Sequence, residues 1–428
     1  MILRSSLVVT GLALMGSGLG FLVQMEVAKE FGTSLQVDGY LFAISTPTFF
    51  AGMLSSLLSY TVVPRMAQGS DEEKNRFLVT LFFGVAGIAF ALILLNPLLQ
   101  AVQTSFLLKS SPIFQLIELN QLLQLGWWIA AAQILLACLA AALTGLQRPI
   151  ISTALNLGPY FGMLGLLQFS RGESVLVVAE GMLIGTIFSL LVSFILLRSR
   201  IVANLSNVAW SEINTIITRS PYAILAMTCF ASYSVVDSYW APRAGEGVLA
   251  TLGYSQRIII ALGNLAVIGP SVVMVPQFSE LIAKGSSRQF LHTLIKTFFV
   301  TGGIALFLAI LLFGFAEEFI QFLFMRGAFE LKAVNEVAKV LRYYMPGMVF
   351  MLLSVVGLRV SFCFGNNERS LAILGVSWAL FYFLLSSLFF NLGAIGFAIA
   401  YSLVWTGYFL VLIWLIINNY KYNFYKLK

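Results

Sequence analysis

The chain has little charge for its length, and this scarcity excludes most soluble proteins. Only 10% of its 428 residues are Asp, Glu, Lys or Arg, whereas 59% are hydrophobic. A soluble domain carries about 25% charged residues. A nucleic-acid-binding protein would also cluster its Lys and Arg, which are dispersed here, so we expect no nucleic-acid partner.

Residues that carry covalent chemistry are also few. The single histidine, His292, has no cluster of cysteines or carboxylates near it in the sequence, so we expect no metal site. Cys138, Cys229 and Cys363 fall in apolar stretches and have neither disulfide nor metal spacing. No ATP-binding motif is present. We therefore expect a protein that is not an enzyme and has no cofactor, and whose energy comes from an ion gradient, the membrane potential or the substrate's own gradient.

About twelve long apolar stretches follow one another along the chain, with no soluble domain between them. A helix needs about 20 mostly apolar residues to cross a hydrocarbon core about 30 Å thick. Backbone groups in lipid must be satisfied within the segment, which favours helices. The sequence therefore predicts an all-α polytopic membrane protein. The predicted spans are 6–28, 37–62, 77–103, 120–145, 150–169, 174–197, 214–238, 248–274, 292–324, 335–363, 370–391 and 394–418.

The two halves of the chain are similar. Val63-Pro64 ends the second span and Val275-Pro276 ends the eighth, and each is followed by a short polar loop and a phenylalanine-rich span. Arg4-Ser5 and Arg219-Ser220 open the first and seventh spans. Six spans per half is an even number, so the halves would keep one orientation, as parallel repeats do. We predict two six-helix lobes, 1–200 and 201–428, with the substrate between them and exposed to each side in turn.

Basic residues predict the orientation. The connectors on the side that holds both termini contain more Lys and Arg than the opposite connectors. Because basic loops stay in the cytoplasm, we expect both termini to be cytoplasmic.

Charged residues inside apolar spans are the candidate functional residues, because a central charge costs about 2.5–3.5 kcal/mol even on lenient scales. Glu26 and Asp38 lie at the junction of the first two spans, Asp237 ends the seventh, and Arg257 lies inside the eighth. Arg257 could hold a phosphate through forked hydrogen bonds. Asp38 or Asp237 could bind a cation or a proton. Alternatively, the three carboxylates lie near span ends and simply contact water.

Small residues and proline predict bends and close packing. Gly18 and Gly20 belong to a glycine-rich string in the first span, and Pro47 lies within the second. Such residues let helices pack closely or bend, so we expect hinge or packing roles. The pairs Gly158/Gly162 and Gly181/Gly185 have the same interpretation.

Short motifs in both halves resemble one family. They are Leu19-Gly20-Phe21, Phe31-Gly32, Asp38, Pro47, Val63-Pro64, Val236-Asp237, Tyr254, Arg257, Val275-Pro276 and Arg326-Gly327-Ala328-Phe329. They are similar to the MurJ (MviN) lipid II flippases of the multidrug/oligosaccharidyl-lipid/polysaccharide (MOP) exporter superfamily. The resemblance implies a bacterial inner-membrane flippase for a saccharide on a polyprenyl diphosphate. We assign substrate contacts to Arg257, Asp38, Glu26 and Tyr254, and coupling or gating to Asp237, Pro47, Gly18 and Gly20.

The chain also departs from this family. The family usually has arginines where Ser17 and Val23 stand, and a basic pair where Ala51 and Gly52 stand, so Arg257 alone remains. The family usually has fourteen helices rather than about twelve. Its sodium site, where present, uses the aspartate matched by Asp237, but the partners in later helices are not evident. Coupling to sodium or to protons therefore stays open.

Two other functions remain open at the level of the sequence. A drug/cation antiporter of the same superfamily would have acidic cavities and no need for Arg257. A membrane scaffold for cell-envelope assembly would transport nothing itself. The expected partners are membrane lipid, the lipid-linked substrate and envelope-biosynthesis proteins, and we expect a monomer.

Overall fold

The computed structural model describes residues 2–67, 70–106, 111–170, 174–202, 221–364, 367–422 and 424. All regular secondary structure in these ranges is helical. Ten helical segments among them are long and apolar enough to cross a membrane. The predicted all-α polytopic fold is confirmed. The number of twelve spans stays a prediction.

The chain forms two compact units, Met1–Ile224 and Leu225–Lys428. The predicted lobe boundary after residue 200 stays a prediction. The Arg219-Ser220 motif lies outside the described residues.

The helices of the first unit follow the predicted spans with two breaks. They are α1 (Ile2–Phe31), α2 (Leu35–Ala67), α3 (Asp71–Leu94), α4 (Asn96–Thr104), α5 (Leu119–Gly145), α6 (Pro149–Leu155), α7 (Gly158–Ser170) and α8 (Leu176–Val202). The predicted span 77–103 ends early, because Pro97 cannot continue the hydrogen bonding of α3 and instead starts the short α4. Ser70 caps α3 by accepting a hydrogen bond from the Glu73 backbone N–H at 3.3 Å.

The boundary after Ile224 falls within α9 (Pro221–Thr228). The second unit continues with α10 (Tyr233–Ala244), α11 (Val248–Ala283), α12 (Ser287–Gly314), α13 (Ala316–Phe324), α14 (Leu331–Cys363), α15 (Glu368–Phe389) and α16 (Ala394–Lys421). The described part of the predicted span 214–238 is not one helix. A 3₁₀ turn at Cys229–Ser232 separates α9 from α10, and the Ser232 hydroxyl donates to the Cys229 carbonyl at 2.6 Å. This bond lies within the turn that interrupts the helix.

The two units share one order of packing. In the first unit α2 and α3 pack on α5, α5 packs on α8, and α7 packs on α8. In the second unit α11 and α12 pack on α14, α14 packs on α16, and α15 packs on α16. Each unit also has a nine-residue helix, α4 or α13, directly after its third long segment. This common order supports the predicted internal repeat.

Glycines bring α7 and α8 into backbone contact. A Cβ added at Gly162 would lie 2.1 Å from the carbonyl oxygen of Gly181, and one at Gly185 would lie 2.1 Å from that of Gly158. No real side chain fits at these distances. The predicted close-packing role of the four glycines is therefore what the structure shows.

Candidate functional site

A buried carboxylate is the centre of the polar structure in the second unit. Asp237, on α10, is 1% exposed. Its Oδ1 accepts a hydrogen bond from the Tyr382 hydroxyl on α15 at 2.6 Å. Its Oδ2 accepts one from the Gln256 side-chain amide on α11 at 2.6 Å. Three helices thus meet at one carboxyl group, and each of its oxygens has a donor.

Aromatic rings enclose this carboxylate. The Gln256 amide also donates to the Tyr344 hydroxyl at 3.1 Å, and the Tyr344 ring contacts that of Tyr401 at a centroid distance of 5.0 Å. Tyr382 stacks on Trp378 at 5.4 Å. A buried charge is tolerated only when donors replace the lost water. The hydroxyl and the amide are therefore what allows an aspartate at this position.

The cluster does not fit the sodium site that the family resemblance implies. A sodium site needs several oxygen atoms aimed at one point, whereas both oxygens of Asp237 are aimed at hydrogen-bond donors. No group of three or more His, Cys, Asp or Glu residues suited to a metal ion occurs within the described part of the chain. The coupling role of Asp237 stays a prediction.

Arg257 follows Gln256 on α11 but points elsewhere, because successive residues of a helix are turned by about 100°. It is half-buried. Among the described residues no carboxylate lies within ion-pair distance of it. Both Asp237 and Arg257 lie close enough to the Tyr233 phenol to act on it electrostatically. The second unit therefore presents a guanidinium without a described counter-ion near its buried carboxylate.

The other predicted substrate contacts have different surroundings. Asp38 is 1% exposed, in the first turn of α2, where the helix N-terminus favours a negative charge. Glu26 accepts a hydrogen bond from Lys29 at 2.8 Å on the half-exposed surface of α1. The buried Tyr254 ring packs against Phe324 and Phe329 at 5.4 and 5.5 Å. Tyr254 therefore has a packing role in this structure. The substrate contacts predicted for Asp38, Glu26 and Tyr254 stay predictions.

The predicted bending residues lie within continuous helices. α1 runs through Gly18 and Gly20 without interruption, and a Cβ at Gly18 would meet nothing within 4 Å. Pro47 is buried in α2 and faces α5, where a Cβ added at Gly126 would be 3.3 Å from its ring. Their gating roles stay predictions.

The partners of Asp237 were not predicted from the sequence. Gln256, Tyr344 and Tyr382 come from three separate helices, and nothing in their spacing links them to position 237. The one usable signal is that Gln256 is an uncharged hydrogen-bonding residue in an apolar span, next to the candidate Arg257.

A second polar region lies within the first unit. A cavity of about 510 Å³ is bounded by α2, α5, α6, α7 and α8. Hydroxyl and amide side chains make up half of its lining, and none of the lining residues is charged. This cavity was not predicted from the sequence, because its polar residues are neutral and widely separated along the chain.

The family model described as lipid II flippase MurJ matches residues 27–427. The chain belongs to the MurJ family. This confirms the predicted resemblance and makes the chain a member of a family of membrane transporters.

Individual MurJ relatives are distant. A probable lipid II flippase MurJ of Bdellovibrio bacteriovorus is 23% identical over 204 residues, which are 47% of this chain and 39% of that protein. The match therefore spans less than half of the relative's length.

Two solved structures share the fold. A lipid II flippase MurJ in an inward closed conformation matches with a TM-score of 0.80 at 20% identity, covering 98% of this chain and 90% of that one. An inward-facing multidrug resistance MATE transporter of the MOP superfamily matches with a TM-score of 0.77 at 14% identity, covering 95% and 96%. At such identities the likeness concerns the fold alone.

Proposed function

We propose that this MurJ family member is a flippase that moves a saccharide linked to a polyprenyl diphosphate across the bacterial cytoplasmic membrane by alternating access. Membership in a family described as lipid II flippases supports the class of substrate. The proposed orientation has both termini in the cytoplasm, as the distribution of Lys and Arg predicts. The saccharide itself is not fixed by family membership.

The main support for this proposal is the position of Arg257 within an apolar helix. A guanidinium within an apolar helix is costly unless an anion or water compensates it. The described residues give Arg257 no carboxylate partner, so an anion from outside the chain is the natural counter-ion. The fork of N–H groups on arginine matches two phosphate oxygens. A diphosphate link between lipid and sugar would provide such an anion within the membrane.

The test replaces Arg257 in reconstituted vesicles. Arg257→Ala should slow translocation of a fluorescent polyprenyl-diphosphate oligosaccharide at least tenfold, since charge-assisted hydrogen bonds contribute about 1.5–3 kcal/mol. Arg257→Lys, the matched control, retains the charge without the fork and should keep part of the rate. Translocation is measured as the fraction of label protected from an added membrane-impermeant reductant. An unchanged rate for Arg257→Ala would remove the anchor role.

The same vesicles separate the competing functions. Export of a cationic dye with no movement of lipid-linked saccharide would favour a drug/cation antiporter. Failure to move either compound, with intact binding to envelope-assembly proteins, would favour a scaffold. Movement of the lipid that depends on Arg257 would contradict both.

A further inference from the structure

The cavity of the first unit has the size of a small-molecule site and no charge. Its volume of about 510 Å³ falls within the range of about 300–1,000 Å³ typical of ligand pockets. Five helices contribute to its lining, so its shape depends on the whole unit rather than on one loop. It differs from a lipid-facing groove, whose lining would be apolar.

Several hydroxyl groups of the lining are available only as acceptors. Thr48 donates its proton to the Ile44 carbonyl at 2.6 Å, and Ser55 donates to the Ala51 carbonyl at 2.7 Å. A hydroxyl has one proton and two lone pairs. These oxygens therefore retain lone pairs that can accept from a ligand.

Four further side chains provide both donors and acceptors. They are Ser59 on α2, Gln133 on α5, Asn156 between α6 and α7, and Tyr160 on α7. None of them makes a side-chain hydrogen bond with another described residue. Their amide and hydroxyl groups are thus free to bind a guest that has both kinds of group.

This chemistry excludes three classes of guest. A phosphate would need Lys or Arg for charge-assisted hydrogen bonds, and the lining has neither. A cationic drug would need a carboxylate or an aromatic box, and the lining has no carboxylate and a single aromatic ring, Tyr160. A hydrocarbon tail would leave the polar groups unpaired, at a cost.

A neutral guest rich in hydroxyl groups matches what remains. Each sugar hydroxyl both donates and accepts, as the free amides and hydroxyls of the cavity do. The Tyr160 ring adds an apolar face for the carbon side of a sugar ring. We infer that this cavity binds the uncharged saccharide part of the transported lipid, an inference that rests on the proposed function. The cavity then selects the sugar, whereas the diphosphate is held elsewhere.

The test measures preference between two lipids rather than total binding. Full-length protein in nanodiscs is offered equal amounts of a polyprenyl-diphosphate disaccharide and the bare polyprenyl diphosphate, and native mass spectrometry counts the bound forms. The wild type should prefer the disaccharide about tenfold. Gln133→Leu and Asn156→Ala should each reduce this preference about three- to tenfold, as expected for the loss of neutral hydrogen bonds. Neither change should weaken binding of the bare lipid.

Gln121→Leu is the matched control. Gln121 is an exposed residue on the same helix, α5, and is not part of the cavity lining. This variant should keep the wild-type preference. If Gln133→Leu does not fold, Ser59→Ala removes one hydroxyl at an exposed position and takes its place in the test.

A fourth variant adds charge to the neutral cavity. Gly52 lines it, and a Cβ there would meet nothing within 4 Å. Gly52→Arg should therefore be accommodated, and it should shift binding towards the bare diphosphate.

The outcomes separate this inference from the proposed function. Equal binding of both lipids by the wild type, or a preference that Gln133→Leu and Asn156→Ala leave intact, would overturn the saccharide site while a flippase remains. Binding of neither lipid would contradict the proposed function itself. A reduced preference in the cavity variants alone supports the inference.

Discussion

The last two helices of each unit occupy the same place in the helix order but meet in different ways. α7 and α8 touch through glycine backbone, with Gly162 against Gly181. α15 and α16 meet through large rings, with Trp378 and Trp405 at a centroid distance of 5.3 Å and Tyr382 and Tyr401 at 6.1 Å. One arrangement of helices thus accepts two opposite kinds of contact.

The two units also differ in the polar side chains that lie near these helix contacts. In the second unit the rings close around Asp237, and the Tyr382 hydroxyl binds the carboxylate directly. In the first unit the glycine contact contains a hydroxyl, that of Ser189 against Gly158, but no charged side chain among the residues named there, and neutral hydroxyls and amides line an open cavity nearby. The same order of helices therefore surrounds a hydrogen-bonded aspartate with aromatic rings in the second unit and borders a cavity with an uncharged lining in the first, and the side chains of the helices decide the difference.

The largest expected effect breaks the glycine contact. Gly162→Leu should destabilise the protein by about 3 kcal/mol or more, because a side chain there overlaps the backbone of α8 and forces the helices apart. The yield of monodisperse protein and its thermal unfolding in detergent measure this. Gly165→Leu is the matched control, since a Cβ at Gly165 meets nothing within 4 Å on the same helix. Equal losses in both variants would show that the close contact is not responsible.

A moderate effect should follow from opening the aromatic enclosure. Tyr382→Phe keeps the ring but removes one donor from Asp237, which should cost about 1.5–3 kcal/mol. Tyr401→Phe removes a hydroxyl that donates to the Met351 sulfur, a weak acceptor, at 3.0 Å, and it should cost less than about 1 kcal/mol. Chemical unfolding of both variants in the same detergent gives the comparison. Similar values for the two would mean that the carboxylate does not depend on Tyr382.

The smallest effect is expected at the surface of α1. Glu26→Gln should change stability by no more than about 1 kcal/mol, because Glu26 and Lys29 are 35% and 44% exposed and water screens their attraction. Lys29→Gln should change stability by a similarly small amount. Thermal unfolding and the vesicle translocation rate test this together. Slower translocation in Glu26→Gln with unchanged stability would instead support the predicted substrate contact of Glu26.

The sequence predicted the elements of the fold better than it predicted the site. Long apolar stretches mark spanning helices, because the thickness of the hydrocarbon core sets their length. Within the predicted seventh span the break at Cys229–Ser232 was missed, since hydropathy does not distinguish an α-helix from a 3₁₀ turn of the same composition. Asp237 and Arg257 were predicted as site residues because charge in an apolar span is rare, and their roles stay predictions. Tyr254 was assigned to substrate, yet its ring is buried against Phe324 and Phe329.

The sequence by itself determined that this protein is a helical membrane protein of the MurJ type, because apolar length and short motifs are local properties of the chain. Only the tertiary structure decided what surrounds each polar group. Gln256 and Tyr382 reach Asp237 from different helices, and Gln133 and Asn156 come to line one cavity. Such contacts arise when helices pack, and residues distant in the chain carry no sign of them beforehand.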